Sequence, residues 1–97
     1  MCKDVRIDRV KLSDEEIGTW ELGYYVRIFS NDLGGDTYGL KIDRSATGDS
    51  NASEEEETKI LTTSYEKAEG WARYLAKERV EPVHLNEIAG ELFVEAV

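Results

Sequence analysis

The chain has 97 residues, of which 21 are acidic and 12 are basic, so its formal net charge at neutral pH is −9. This length accommodates one domain with one core. An acidic surface repels nucleic acids and anionic membranes, so the composition excludes both as direct partners. A basic protein surface or a cation is favoured instead.

The N-terminal region and the cysteine content bear on the cellular compartment. Cys2 is the only cysteine, so the chain can form no internal disulfide, and we expect a reducing compartment. The first residues lack the apolar segment of a signal peptide, and no apolar run reaches the roughly 20 residues that a bilayer requires. We therefore expect a cytoplasmic protein.

The first half of the chain carries strand patterns. Val5 and Ile7 alternate, and the alternation then changes parity, which predicts a strand with a bulge. "WELGYYVRIFS" alternates from Trp20 onwards, as half-buried antiparallel strands do. The Asn, Asp and Gly residues of "NDLGGD" predict a turn, and "TYGLKIDR" predicts the returning strand. Residues 20–44 are therefore interpreted as a hairpin.

Residues 45–57 have no apolar periodicity, which predicts a long, exposed and flexible loop. "TKILTT", residues 58–63, predicts a short fourth strand. Thr63 and Glu66 match a capping box, which predicts a helix that runs to about Val80. A second helix is predicted over residues 85–96 from its apolar spacing.

Strands followed by helices indicate an α+β fold. We predict one domain, residues 1–97, with a four-stranded antiparallel sheet packed on one face by two C-terminal helices.

Catalytic and metal-binding patterns are weak. Cys2 and His84 are the only cysteine and the only histidine. They could in principle form a nucleophile–base pair, but we interpret neither residue as catalytic. We expect no enzyme activity, no cofactor and no metal centre. One alternative is a calcium-binding or small-ligand-binding module, because Asp43, Gly48 and Glu54 occupy positions one, six and twelve of a calcium-loop pattern.

The acidic residues near the C-terminus form a regular pattern. Glu87, Glu91 and Glu95 are four residues apart, which places successive carboxylates on one helical face at a spacing of about 6 Å. No Lys or Arg lies between residues 80 and 97. Such a row of negative charge approaches the phosphate spacing of a nucleic acid, so it would attract proteins that grip phosphates.

Two stretches carry a resemblance to a known family. "YEKAEGWARYLAKERV" and "LNEIAGELFVEAV" resemble the helical end of small acidic phage anti-CRISPR proteins that imitate DNA. The resemblance implies a small sheet covered by two helices, and an inhibitor that occupies the nucleic-acid channel of a type I CRISPR surveillance complex. The first helix here is richer in Lys and Arg than such mimics are. The last helix and the acidic loops therefore remain as the candidate surface.

Our leading hypothesis is a non-enzymatic inhibitor whose acidic surface occludes a basic nucleic-acid-binding groove of a partner protein. An immunity protein that neutralises a basic nuclease toxin would use the same physics. Besides the row on the last helix, the predicted contact residues are Asp14, Glu15, Glu16, Glu54, Glu55, Glu56 and Glu57.

Overall fold

The computed structural model describes residues 2–15, 18–46 and 53–93. Its elements are, in chain order, strands β1 (Cys2–Asp14), β2 (Gly18–Ser30), β3 (Asp36–Ala46) and β4 (Ser53–Glu57), helix α1 (Tyr65–Lys77), a 3₁₀ turn (Pro82–His84), helix α2 (Leu85–Ile88) and a π-helical turn (Ala89–Phe93). The strands form one antiparallel sheet in the order β1-β2-β3-β4. The predicted α+β fold is confirmed.

β1 contains the predicted bulge. Its register against β2 shifts between Arg6 and Asp8. The extra residue restores the apolar side chains that follow it to the core face, because side chains alternate strictly along a strand. The parity change in the sequence is therefore confirmed as a bulge.

β2 and β3 form the predicted hairpin. The side chain of Asn31 accepts a hydrogen bond from the Leu33 N–H at 2.9 Å and donates one to the Gly35 carbonyl at 3.0 Å. Gly34 and Gly35 have φ values of 85° and 83°, a region that glycine enters without steric cost. These features fix the register of the two strands.

The fourth strand lies earlier in the chain than predicted. Ser53–Glu57 pairs with β3, so part of the predicted loop at 45–57 is a strand, and β3 itself extends to Ala46. The middle of that loop lies outside the described residues. Residues 58–63, the predicted strand, form no regular strand; they contribute an isolated bridge between Tyr38 and Thr62 and single hydrogen bonds to β3. The prediction was wrong because apolar periodicity cannot reveal a strand whose five side chains are all exposed.

α1 differs from its prediction at both ends. Its N-cap is Ser64 rather than Thr63, and the Ser64 side chain accepts a hydrogen bond from the Lys67 N–H. The helix ends at Lys77 instead of Val80, because Arg79 adopts a left-handed conformation with a φ of 53°. That conformation is a common helix stop.

The second predicted helix is less regular than its apolar spacing suggested. The 3₁₀ turn leads into the single helical turn of α2, and a π-helical turn follows. Residues 94–96 of the prediction lie outside the described residues. No helix in the described part of the chain is long and apolar enough to cross a membrane.

The core lies between one face of the sheet and the helices. Its buried members are Leu22, Tyr24, Val26, Leu40, Ile42, Ala68, Ala72, Leu75, Ala76, Leu85 and Ala89. Alanines on α1 allow the helix backbone to approach the sheet closely. The buried Tyr24 hydroxyl donates a hydrogen bond to the Val80 carbonyl at 3.0 Å, which ties the sheet to the segment after α1.

Candidate protein-docking surface

The sheet face opposite the helices carries a network of ion pairs centred on Asp4. Arg27 donates two hydrogen bonds to the Asp4 carboxylate, at 2.8 and 3.0 Å, and it also contacts Glu57. The Arg27 side chain is only 15% exposed. Its hydrogen bonds hold the pKa of Asp4 below the ordinary range, although burial opposes this shift.

Lys41 extends the network to the edge strand. Its Nζ lies 3.3 Å from both Asp4 Oδ2 and Glu55 Oε2, and 5.4 Å from the ring centroid of Tyr25. Burial disfavours the charged amine, but the hydrogen bonds to the two carboxylates outweigh burial and raise the pKa of Lys41. This amine therefore stays charged in the physiological range.

Tyr25 and Asp43 complete the polar face. The Tyr25 hydroxyl donates a hydrogen bond to Asp43 Oδ2 at 2.7 Å, and the Gly23 N–H donates one to Asp43 Oδ1 at 3.1 Å. Burial, followed by the contact with Asp43, raises the pKa of Tyr25. The acceptor oxygens of Asp43 are thus committed within the sheet.

This network gives the glutamate run of β4 two different environments. Glu55 and Glu57 pair with cations of neighbouring strands, so their contribution to an outward negative field is reduced. Glu54 and Glu56 alternate to the helix-bearing side of the sheet, because they lie opposite Arg44 and Ile42 in the register.

Asn86 joins α2 to β4. Its side-chain amide donates hydrogen bonds to Glu56 Oε1 and to the Glu57 carbonyl, both at 3.1 Å. The next residue, Glu87, has a 72% exposed side chain that lies 3.9 Å from His84 Nδ1. Glu91 in the π-helical turn is also exposed.

The contact through Asn86 therefore places β4, with Glu54 and Glu56, beside the start of the segment that carries Glu87 and Glu91. We call Glu54, Glu56, Glu87 and Glu91 the acidic surface.

A shallow groove adjoins the acidic surface. It encloses about 320 Å³ and is lined by Glu54, Glu55, Glu56, Pro82 and Val83. Val83 is 69% exposed. The groove thus offers an apolar contact beside carboxylates, which suits the aliphatic stem and charged end of a Lys or Arg side chain.

Two of the other predicted contact residues, Asp14 and Glu15, lie elsewhere on the sheet. Glu16 and Glu95 lie outside the described residues. Asp14 is the last residue of β1, and the exposed Glu15 follows it. They lie towards the same end of the sheet as Ser53, but at the opposite edge. Ser53 is in line with Lys11, about 14 Å away across three strand spacings, and Asp14 lies three residues further along β1.

The alternative chemical sites are not assembled. Cys2 begins the β1 edge, whereas His84 is the last residue of the 3₁₀ turn that packs against β4 at the opposite edge. Asp43 and Glu54, the ends of the proposed calcium loop, lie on opposite faces of the sheet, because Asp43 pairs with Glu55. Within residues 2–15, 18–46 and 53–93, no group of three or more His, Cys, Asp or Glu residues is arranged to hold a metal ion.

Sequence reasoning overlooked the residues that organise this surface, namely Arg27, Lys41 and Asn86. The sequence did contain a signal for Arg27 and Lys41. Arg27 alternates onto the same face as Tyr25, and a hairpin with a turn at residues 31–35 places Lys41 beside Tyr25 on that polar face. Nothing in the sequence indicated that Asn86 would contact the backbone of β4.

Comparisons with known proteins place the chain in a family. No curated protein and no solved structure matches it. One family model matches residues 3–95. This range includes all of the described helices and strands, apart from Cys2 at the start of β1. The chain therefore belongs to the family described as "Family of unknown function (DUF6514)".

Proposed function

We propose that this protein is a non-enzymatic inhibitor that docks its acidic surface on a basic, nucleic-acid-binding groove of a partner protein. The observation that carries the proposal is the contact between Asn86 and β4. It places the edge strand, with its exposed Glu54 and Glu56, beside the segment that carries the exposed Glu87 and Glu91.

The mechanism is competitive occlusion of the groove. Exposed Glu54, Glu56, Glu87 and Glu91 supply the attraction, and the exposed Val83 supplies apolar contact area. Charges of this kind chiefly accelerate association, and salt screens them over about 8–10 Å at ordinary ionic strength. We therefore expect inhibition to weaken as salt concentration rises.

Two partner classes share this chemistry. A type I CRISPR surveillance complex is the first to test, because of the resemblance of the two C-terminal stretches to DNA-mimicking inhibitors. A basic nuclease toxin is the second. A toxin gene immediately upstream would favour the second class, and neighbouring phage genes would favour the first.

The test measures binding of a labelled target DNA by a purified type I complex as this protein is titrated in. The wild-type chain should displace the DNA, and Glu87→Lys/Glu91→Lys should abolish displacement. Asp32→Lys/Asp36→Lys is the matched control, because it changes the net charge equally at exposed positions of the hairpin turn, at the far end of β3.

Equal losses in the two double variants would show that only net charge matters, and would overturn the proposed surface. Failure of the wild-type chain to displace DNA would exclude the CRISPR partner. The same titration against a nuclease encoded next to the gene then tests the second partner class.

A further inference from the structure

The sheet has two free edges. β1 and β4 each pair with one strand only in the described part of the chain. Free edges present backbone N–H and C=O groups that can pair with a further strand. The residues that direct these groups outward follow from the register.

Backbone direction can be traced from one hydrogen bond. The Thr58 N–H donates to the Leu40 carbonyl, so even-numbered residues of β3 direct their backbone groups towards β4. The odd-numbered residues of β2 then direct their backbone groups towards β3. The β1 residues opposite these direct their own backbone groups outward, away from the sheet. On the C-terminal half of β1, these outward residues are Arg9, Lys11 and Ser13. On β4 they are Ser53, Glu55 and Glu57.

The two edges therefore carry opposite charges at the positions that a new strand would pair with. Arg9 and Lys11 both pair with Glu21, at 3.6 and 3.7 Å, but their side chains remain 54% and 66% exposed. Glu55 and Glu57, which pair with Lys41 and Arg27, remain 67% and 52% exposed. Pairing β4 with a second β4 would place glutamates opposite glutamates, which is destabilising, whereas β1 against β4 places opposite charges together.

We propose that β4 of one copy adds to the β1 edge of a second copy, with Glu55 opposite Lys11 and Glu57 opposite Arg9. The sheet has an even number of alternating strands, so β4 runs opposite to β1. A second copy displaced sideways therefore pairs antiparallel, with its helices on the same side of the joined sheet. Ser53 of one copy then lies opposite Ser13 of the other.

Two internal contacts keep this interface short. Asp8 Oδ1 accepts the outward N–H of Arg9 at 2.8 Å, and the Asn86 amide donates to the carbonyl of Glu57. The pair of Arg9 with Glu57 therefore forms only one of its two backbone hydrogen bonds, from the Glu57 N–H to the Arg9 carbonyl. The interface is limited to the five residues of β4, so association should be weak and reversible. This inference does not depend on the proposed function, because it rests on the backbone edge and on Glu55 and Glu57, which are not part of the acidic surface.

The test is disulfide trapping between copies in a Cys2→Ser background, which removes the exposed native cysteine. Ser13→Cys and Ser53→Cys chains are mixed under a glutathione redox buffer. Directly opposed antiparallel residues have Cα separations of about 4.5–5.5 Å, which a disulfide spans. The mixed dimer should exceed either homodimer. Ser30→Cys replaces Ser13→Cys as the control, because it is equally exposed but lies at the other end of the sheet.

A second measurement tests the charge pairing. Arg9→Gln/Lys11→Gln in the Ser13→Cys chain should lower the yield of mixed dimer several-fold, with the fold checked by circular dichroism. A mixed-dimer yield no higher than that of the Ser30→Cys control would overturn the proposal. An unchanged yield in the glutamine variant would overturn the charge complementarity on which the register rests.

Discussion

Replacing Asp4 by asparagine tests whether the ion-pair network holds the sheet together. Asp4 accepts two hydrogen bonds from Arg27 and one from Lys41, at 2.8, 3.0 and 3.3 Å, from cations that are only 15% exposed. Hydrogen bonds to charged groups contribute about 1.5–3 kcal/mol when they are removed singly. Partial exposure and the remaining amide oxygen reduce the total. We expect a loss of about 2 kcal/mol in the free energy of unfolding, or roughly 10 °C in Tm.

The assay is urea unfolding of both proteins between pH 2.5 and pH 7. The contacts lower the pKa of Asp4 from its ordinary value of 3.8, so its contribution is fully present above that value and is lost as the pH falls through the folded-state pKa. The difference between wild type and Asp4→Asn should therefore be largest at neutral pH and should narrow in acid.

Asp8→Asn is the control for Asp4→Asn. It removes a charge from the same strand, while the asparagine oxygen can still accept the Arg9 N–H bond. An equal loss in the two variants at neutral pH, or a difference that does not change with pH, would refute the network's role.

Three further changes test the packing and the division of the glutamate run. Gly39→Ala should lower the free energy of unfolding by about 1–3 kcal/mol, because the new Cβ would lie 2.7 Å from the Lys59 carbonyl oxygen; a neutral result in thermal unfolding would contradict this. Tyr24→Phe should lower it by about 1 kcal/mol through loss of the hydrogen bond to the Val80 carbonyl, and equal stabilities in urea would count against it. Glu55→Gln/Glu57→Gln should lower Tm more than Glu54→Gln/Glu56→Gln does, whereas the second pair should weaken partner binding more; the reverse order would contradict the assignment of faces.

The parts of the fold that were predictable are those in which apolar residues report the burial of one face. β1 with its bulge, the β2–β3 hairpin and the core face of α1 all follow from such patterns. When one face of a strand is buried, a change in the parity of its apolar residues indicates a β-bulge. The register of the hairpin follows from the turn, where Gly34 and Gly35 allow positive φ.

The failures share a cause, which is that polar contacts decided the outcome. β4 has five exposed side chains and contains no apolar residue, so its pairing depends on cations contributed by β2 and β3. The choice of Ser64 over Thr63 as the N-cap depends on a single hydrogen bond. Asn86 adds polar contacts between α2 and β4 to the burial of Leu85 in the core. None of these contacts leaves a periodic trace in the sequence.

The glutamate run has a structural role that its composition conceals. A short edge strand made of charged residues resists indiscriminate pairing with other chains, and alternation divides its charges between two faces. Glu55 and Glu57 neutralise Lys41 and Arg27, which are otherwise costly to place at low exposure on a sheet. Glu54 and Glu56 remain on the side of α2. The net charge of the chain therefore overstates the negative field that is available for binding a partner. The relevant quantity is the charge of the acidic surface.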